Sequence, residues 1–122
     1  MTTLEIGKKY VALVRDGKRE ECLSTLFSTE ATSVEAAELP GRQRTVKGLE
    51  ALRAKSKFFL GNNEVHEAEL FGPYPNDDRF AVRFVFRVTF KPTGQERTMD
   101  EVGLFTIVDG KIAKEEFFYA LG

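Results

Sequence analysis

In the stretch RFAVRFVFRVTFKP, residues 79–92, the even positions carry Phe80, Val82, Phe84, Phe86, Val88 and Phe90, while Arg79, Arg83, Arg87 and Lys91 stand at odd ones. Successive side chains of a strand point to opposite faces, so this alternation predicts one long strand with an aromatic face and a basic one. Such a wall of rings either belongs to a solid core or lines a cavity. Its neighbours in the chain show what it has to pack against.

Downstream, the alternation continues over residues 96–108 and 111–119, with turns at PTGQ and VDGK. Asp109-Gly110 suits a two-residue turn of type I′, which needs positive φ at both centres. Upstream, residues 64–72 read as a further strand, ending at PYPNDD. The first half reads differently. Thr2 and Glu5 have capping-box spacing, and Ile6, Tyr10, Leu13 and Val14 then share one face of a helix over 3–16 that stops at Gly17. KREECLSTLF forms a second, short helix with Leu23, Leu26 and Phe27 on one side, and TSVEAA is compatible with a strand. The loop ELPGRQRTVKG leads to a third helix, GLEALRAKSKFFLG, which buries Leu49, Leu52, Phe59 and Leu60 and ends at Gly61. Helices first and a meander of long strands after predict an α+β fold, with the helices on one face of an antiparallel sheet.

A chain of 122 residues is the size of one compact domain. Eighteen basic against 19 acidic side chains give a net charge of −1, which offers no broad field for nucleic acid or an anionic membrane. The Arg79–Lys91 stripe does not change this, because the Phe rings point away from it and cannot stack on bases that it contacts. Eleven Phe and no Trp give an interior whose rings carry no polar atoms to satisfy. Cys22 is the single cysteine, which rules out an internal disulfide framework and a cysteine-rich zinc site. No stretch reaches the roughly 20 apolar residues of a membrane span, and charges interrupt the N-terminal segment where a secretory signal would be apolar, so a cytoplasmic protein is expected.

On the face opposite the wall, Val85, Val102, Leu104, Ile112 and Phe118 form an apolar island bordered by Arg83, Arg87, Asp100 and Glu116. Islands of this kind mark contact surfaces, and a homodimer through the outer sheet face is expected. Long Arg and Lys stems covering it in a monomer are the alternative.

The run KYVALVRDGKREECLSTLFSTEATSVE, a helix opened by Gly48, and four long strands ending in GKIAKEEFFY resemble the nuclear transport factor 2-like (NTF2-like) superfamily, in particular its SnoaL-like branch. The resemblance covers nearly the whole chain as one domain over 1–122. It implies a cone: a curved antiparallel sheet, as in cystatin-like folds, wrapped around three N-terminal helices, with an apolar pocket at the open end and a homodimeric state. In the ketosteroid isomerases of this superfamily, a tyrosine on the first helix donates to the developing oxyanion and a carboxylate on the first strand moves the proton. Tyr10 and Glu35 fall on those two positions. The isomerases' third group, a protonated aspartic acid, has no counterpart, since its position lands near Gly103 and the nearest acid is Glu101 on the same face.

Glu35 is accordingly the candidate base, because burial in an apolar cavity raises a carboxyl's pKa. Tyr10 is either its oxyanion donor or a core residue whose hydroxyl finds a partner. His66, the one histidine, is a second candidate for polarising a carbonyl, although its strand shows no single parity and leaves its direction open. The pocket lining is expected from Phe59 on the third helix and from Phe84 and Phe86 on the wall. Met99, Glu101, Gly103 and Phe105 join from the next strand, and Glu115, Phe117 and Tyr119 from the last. Gly103 suits a bend in its strand, and Glu115 is alternatively a partner for a neighbouring Arg or Lys. No metal site is expected, because His66, Glu67 and Glu69 lack ligand spacing. Three readings remain: a protein that holds a small apolar or aromatic molecule, a cofactor-free isomerase or cyclase, and a dimerisation module with a filled cone.

Overall fold

The structure is a computed structural model that describes residues 1–38 and 41–121. Helix α1, Thr3–Arg15, begins at the expected capping box. The Thr2 hydroxyl accepts from the Glu5 amide at 3.1 Å and the Glu5 carboxylate accepts from the Thr2 amide at 3.0 Å. Gly17 (φ +71°) reverses the chain into α2, Arg19–Leu26, which passes without a turn into β1, Phe27–Val34. The strand therefore starts five residues before the expected TSVEAA segment, and Phe27 belongs to it rather than to the helix. Within the presumed loop, Thr45–Lys47 forms a short strand, β2, against β1. Leu39 and Pro40 of that loop lie outside the described residues. Gly48 (φ +96°) then turns the chain into α3, Leu49–Asn62. Leu52 on α3 is buried, but Leu60 is 53% exposed, and Gly61 lies inside the helix instead of ending it.

Four long strands follow: β3 (Asn63–Asn76), β4 (Arg79–Phe90), β5 (Gln95–Val108) and β6 (Lys111–Phe118). The strand order is β2-β1-β6-β5-β4-β3. All neighbours are antiparallel except β1 and β6, whose parallel pairing was not anticipated. Most of PYPNDD is strand, leaving Asp77 and Asp78 as the turn. The Asp109-Gly110 turn has positive φ at both residues, 51° and 75°, as expected.

All three helices pack on the concave face of the sheet, α1 against β3 and β4, α2 against β1, and α3 against β1 and β3. Gly7 lets α1 approach β3 closely, since a Cβ there would stand 2.7 Å from Pro73 Cβ. The narrow end is solid: Ile6, Phe80, Val82, Phe105 and Ile112 are wholly buried, and the Phe80 and Phe105 rings stack at 4.8 Å. Register shifts explain two misplaced residues. A shift in the β5–β6 ladder between Thr106 and Ile107 turns Ile112 into the core, so it leaves the outer island. A shift in the β3–β4 ladder between Val65 and Glu67 breaks the parity of β3 and sets His66 on the outer face. The rest of the island is as expected, with Val102 38% and Phe118 53% exposed.

Candidate functional site

Toward the wide end the concave face changes from apolar to charged. The sheet register places Phe86 beside Met99, Phe84 beside Glu101, and Gly103 between Val82 and Phe117. Phe86, Met99, Glu101 and Tyr119 are half-buried, in contrast to the sealed rings below them.

Its floor is a chain of buried polar groups. Glu115, with a side chain only 2% exposed, accepts from Arg19 Nη2 at 3.2 Å and from Ser33 Oγ at 2.7 Å. Lys55 Nζ donates to Ser33 Oγ at 2.7 Å and pairs with Glu35 Oε1 at 2.5 Å. The other Glu35 oxygen accepts from the Tyr119 hydroxyl at 2.8 Å, and Arg42 lies 3.8 Å from Oε1. An unbroken series thus runs from Arg19 through Glu115, Ser33, Lys55 and Glu35 to Tyr119. Its cations also rest on rings: Lys55 over Phe117 at 5.2 Å, Arg19 over Phe27 at 5.4 Å and Arg42 over Phe58 at 5.5 Å.

These surroundings separate the acids. Glu101 stands beside Phe84 on the neighbouring strand and makes no hydrogen bond or ion pair among the described residues. Burial first, and the Glu35 charge second, push its carboxyl up to about 7, with Lys55 and Arg42 opposing. Burial and the hydrogen bond to Glu35 push the Tyr119 phenol up to about 12. Burial also lifts the Tyr10 phenol far above its ordinary value. Arg19 is disfavoured by burial, yet the facing Glu115 carboxylate holds it firmly charged.

The structure brings Glu35, Glu101 and Tyr119 together and leaves the other candidates elsewhere. Tyr10 is enclosed by Phe27, Phe80, Phe84 and Phe105, and its hydroxyl meets Arg19 Nη1 at 3.4 Å, not Glu35. His66 bonds Thr89 Oγ1 at 2.6 Å on the outer face, away from the cluster. Phe105 and Glu115 lie beneath the opening as sealed groups. Gly103 makes room for rings, since a Cβ there would stand 2.8 Å from the Phe105 ring, and the β4–β5 register passes through it without a bulge. Phe59 is half-buried on α3. Sequence reasoning missed Arg19, Ser33, Arg42 and Lys55. Lys55 carried a usable signal, since Leu49, Leu52, Lys55 and Phe59 share one helical stripe and a charge on it has to find a partner.

Two grooves flank the cluster. One, of about 220 Å³, runs past Glu35, Arg44, Phe117 and Tyr119; the other, of about 240 Å³, lies between α2 and α3 beside Arg19, Leu23 and Leu60. Among the described residues there is no group of three or more potential metal-ligating acids, histidines or cysteines. No helix among them is long and apolar enough to cross a membrane.

The family of SnoaL-like domains matches residues 1–119. A candidate SnoaL-like polyketide cyclase from Mesorhizobium loti is 44% identical in sequence and superposes with a TM-score of 0.91, over 98% of this chain and 100% of its own. An NTF2-like protein from Burkholderia thailandensis is 16% identical with a TM-score of 0.83, covering 97% of this chain and 90% of that one. A protein of unknown function with a cystatin-like fold, from Xanthomonas campestris, is 20% identical with a TM-score of 0.79, covering 99% and 92%. No curated protein matches the chain. The chain belongs to the SnoaL-like domain family and shares its fold with NTF2-like proteins.

Proposed function

We propose that the chain binds a small, largely apolar molecule bearing an oxygen function, at the wide end of the cone. The observation that carries this reading is the half-exposed strip Phe86–Met99–Glu101–Tyr119, where an aromatic surface meets a carboxyl, a phenol and an ammonium group. Few convergent polar groups on an apolar wall are what a small-molecule site requires. Titration with small aromatic ketones, followed by amide and methyl resonances, should perturb Phe86, Met99 and Glu101. Perturbation confined to the outer sheet face would overturn the reading.

A second reading, proton transfer next to a carbonyl without a cofactor, is favoured by the carboxyl of Glu101, which titrates near neutrality. Here Glu101, rather than Glu35, takes the proton from the carbon beside the carbonyl and returns it to another carbon. The enolate oxygen that forms between the two steps lies against the remaining donor of Lys55, while Glu35 holds Lys55 and the Tyr119 hydroxyl in place. The name of the Mesorhizobium relative, a candidate cyclase, supports this chemistry. Exchange of α-hydrogens of enolisable ketones in D2O should be detectable and should fall by about 10²-fold or more in Glu101→Gln; absence of exchange in the parent leaves binding alone.

Two copies pair through the outer sheet face in this proposal, covering Phe71, Tyr74, Val102 and Phe118, all exposed in the single chain. Phe118→Glu should then lower the mass measured by light scattering to that of one chain. The lone, buried Cys22 suits a reducing, cytoplasmic setting.

A further inference from the structure

The fixed charges at the wide end do not cancel. Arg19 is matched by Glu115, but Lys55 and Arg42 share one carboxylate, Glu35. Arg44 stands at the exposed rim, where its Nε donates to the Glu35 carbonyl oxygen at 3.2 Å and solvent screens its charge, so it stays outside this balance, as does Glu116, engaged by Lys114 at 3.5 Å. The remaining acid turned toward the cluster is Glu101. It faces Glu35 from the end of β1, Lys55 from α3, Arg42 from the loop after β1, and Glu115 and Tyr119 from β6 and its extension. Its neighbour on β4 is the uncharged Phe84. With Glu101 protonated, Lys55 and Arg42 outnumber Glu35 by one positive charge. With Glu101 ionised, the three groups and Glu101 balance. An ammonium group has three donors, and among the described residues Lys55 directs two of them, at Ser33 and Glu35.

We propose that the ligand is a carboxylic acid bound as its anion, with its carboxylate accepting from a protonated Glu101 and lying against the free donor of Lys55 and the Arg42 guanidinium. This rests on the binding reading above and names the chemical class of its ligand. The anion supplies the missing negative charge and meets a carboxyl that can donate. Once Glu101 ionises, the same ligand brings a surplus negative charge into a partly apolar enclosure, which is unfavourable. Binding above neutrality therefore takes up a proton from solvent. A neutral analogue of the same shape has no such dependence.

The test is calorimetric titration of the full chain with 1-naphthylacetate and with 1-naphthylacetamide between pH 6.0 and 8.5, where the acid is ionised throughout. Since Glu101 titrates at about 7, affinity for the acid should fall tenfold per pH unit above neutrality, on the order of 30-fold across the range, while affinity for the amide stays level. At pH 8 the heat for the acid should vary with the ionisation enthalpy of the buffer by close to one proton per site, a readout that needs no variant. Glu101→Gln should bind the acid at every pH about as well as the parent does at pH 6. Binding of the amide without the acid, or affinity for the acid that ignores pH, overturns the proposal and leaves the binding reading in place. A pH dependence that survives in Glu101→Gln does the same. If neither compound binds, both fall.

Discussion

Replacing Glu115 by Gln should cost this small domain a large part of its stability. The carboxylate is 2% exposed and serves two donors, Arg19 at 3.2 Å and Ser33 at 2.7 Å. Charge-assisted hydrogen bonds contribute about 1.5–3 kcal/mol each. Breaking a buried pair by removing one partner costs about 3–5 kcal/mol, because the other charge stays behind unmatched. Gln keeps the shape and can still accept from Ser33, so the lower end, about 3 kcal/mol, is the expected loss. Against a typical total of about 5–15 kcal/mol this is readily measured, as a displaced midpoint in urea unfolding followed by circular dichroism. The companion double variant Arg19→Met/Glu115→Met removes both charges and should recover at least half of the loss, since apolar replacement of a whole buried pair is often neutral. A single-variant loss below about 1 kcal/mol, or a double variant less stable than Glu115→Gln, would show that the pair is not the strut described.

The pH dependence of stability provides a second test. Glu101 has a folded pKa of about 7 against an ordinary value of 4.5, so between these limits the folded chain holds more protons and stability falls as pH rises. Between pH 5 and pH 8 the parent should lose on the order of 2 kcal/mol relative to Glu101→Gln, by urea unfolding at each pH; parallel profiles would refute the assignment. Gly103→Ala should destabilise by about 1–3 kcal/mol, because its Cβ would stand 2.8 Å from Phe105 and 3.0 Å from Phe84, rings that are themselves held by neighbours. Cys22 is wholly buried and its thiol is pushed up to about 11, so a disulfide exchange reagent at pH 8 should label it only at the rate of unfolding.

The sheet was legible because the alternation in β4 and β5 runs without a break, and every β5 partner of Arg79–Phe90 keeps its register. Where the ladder slips, parity reasoning fails by one residue and the face inverts. That is why parity alone puts Ile112 on the outer face and gives His66 no face. The parallel contact of β1 with β6 joins residues about 80 apart, and no local pattern encodes it. At the site, Glu35, Glu101 and Tyr119 could be anticipated from strand parity and family resemblance. Their partners could not: Arg19 opens a helix of little amphipathic character, and Ser33 is an ordinary strand residue until Glu115 stands beside it. Tyr10 was the reverse case, a position familiar from enzymes but occupied here by a ring locked among four others.

The place of β6 between β1 and β5 has a consequence for how the molecule comes into being. The hairpins formed by residues 63–108 and the helical half before them have no shared ladder until Lys111–Phe118 slides between them. A nascent chain halted at Gly110 would hold two half-built pieces with open edges, and assembly must wait for Lys111–Phe118 to emerge from the ribosome. Such late, long-range closure favours slow maturation and gives chaperones a defined window in which to act.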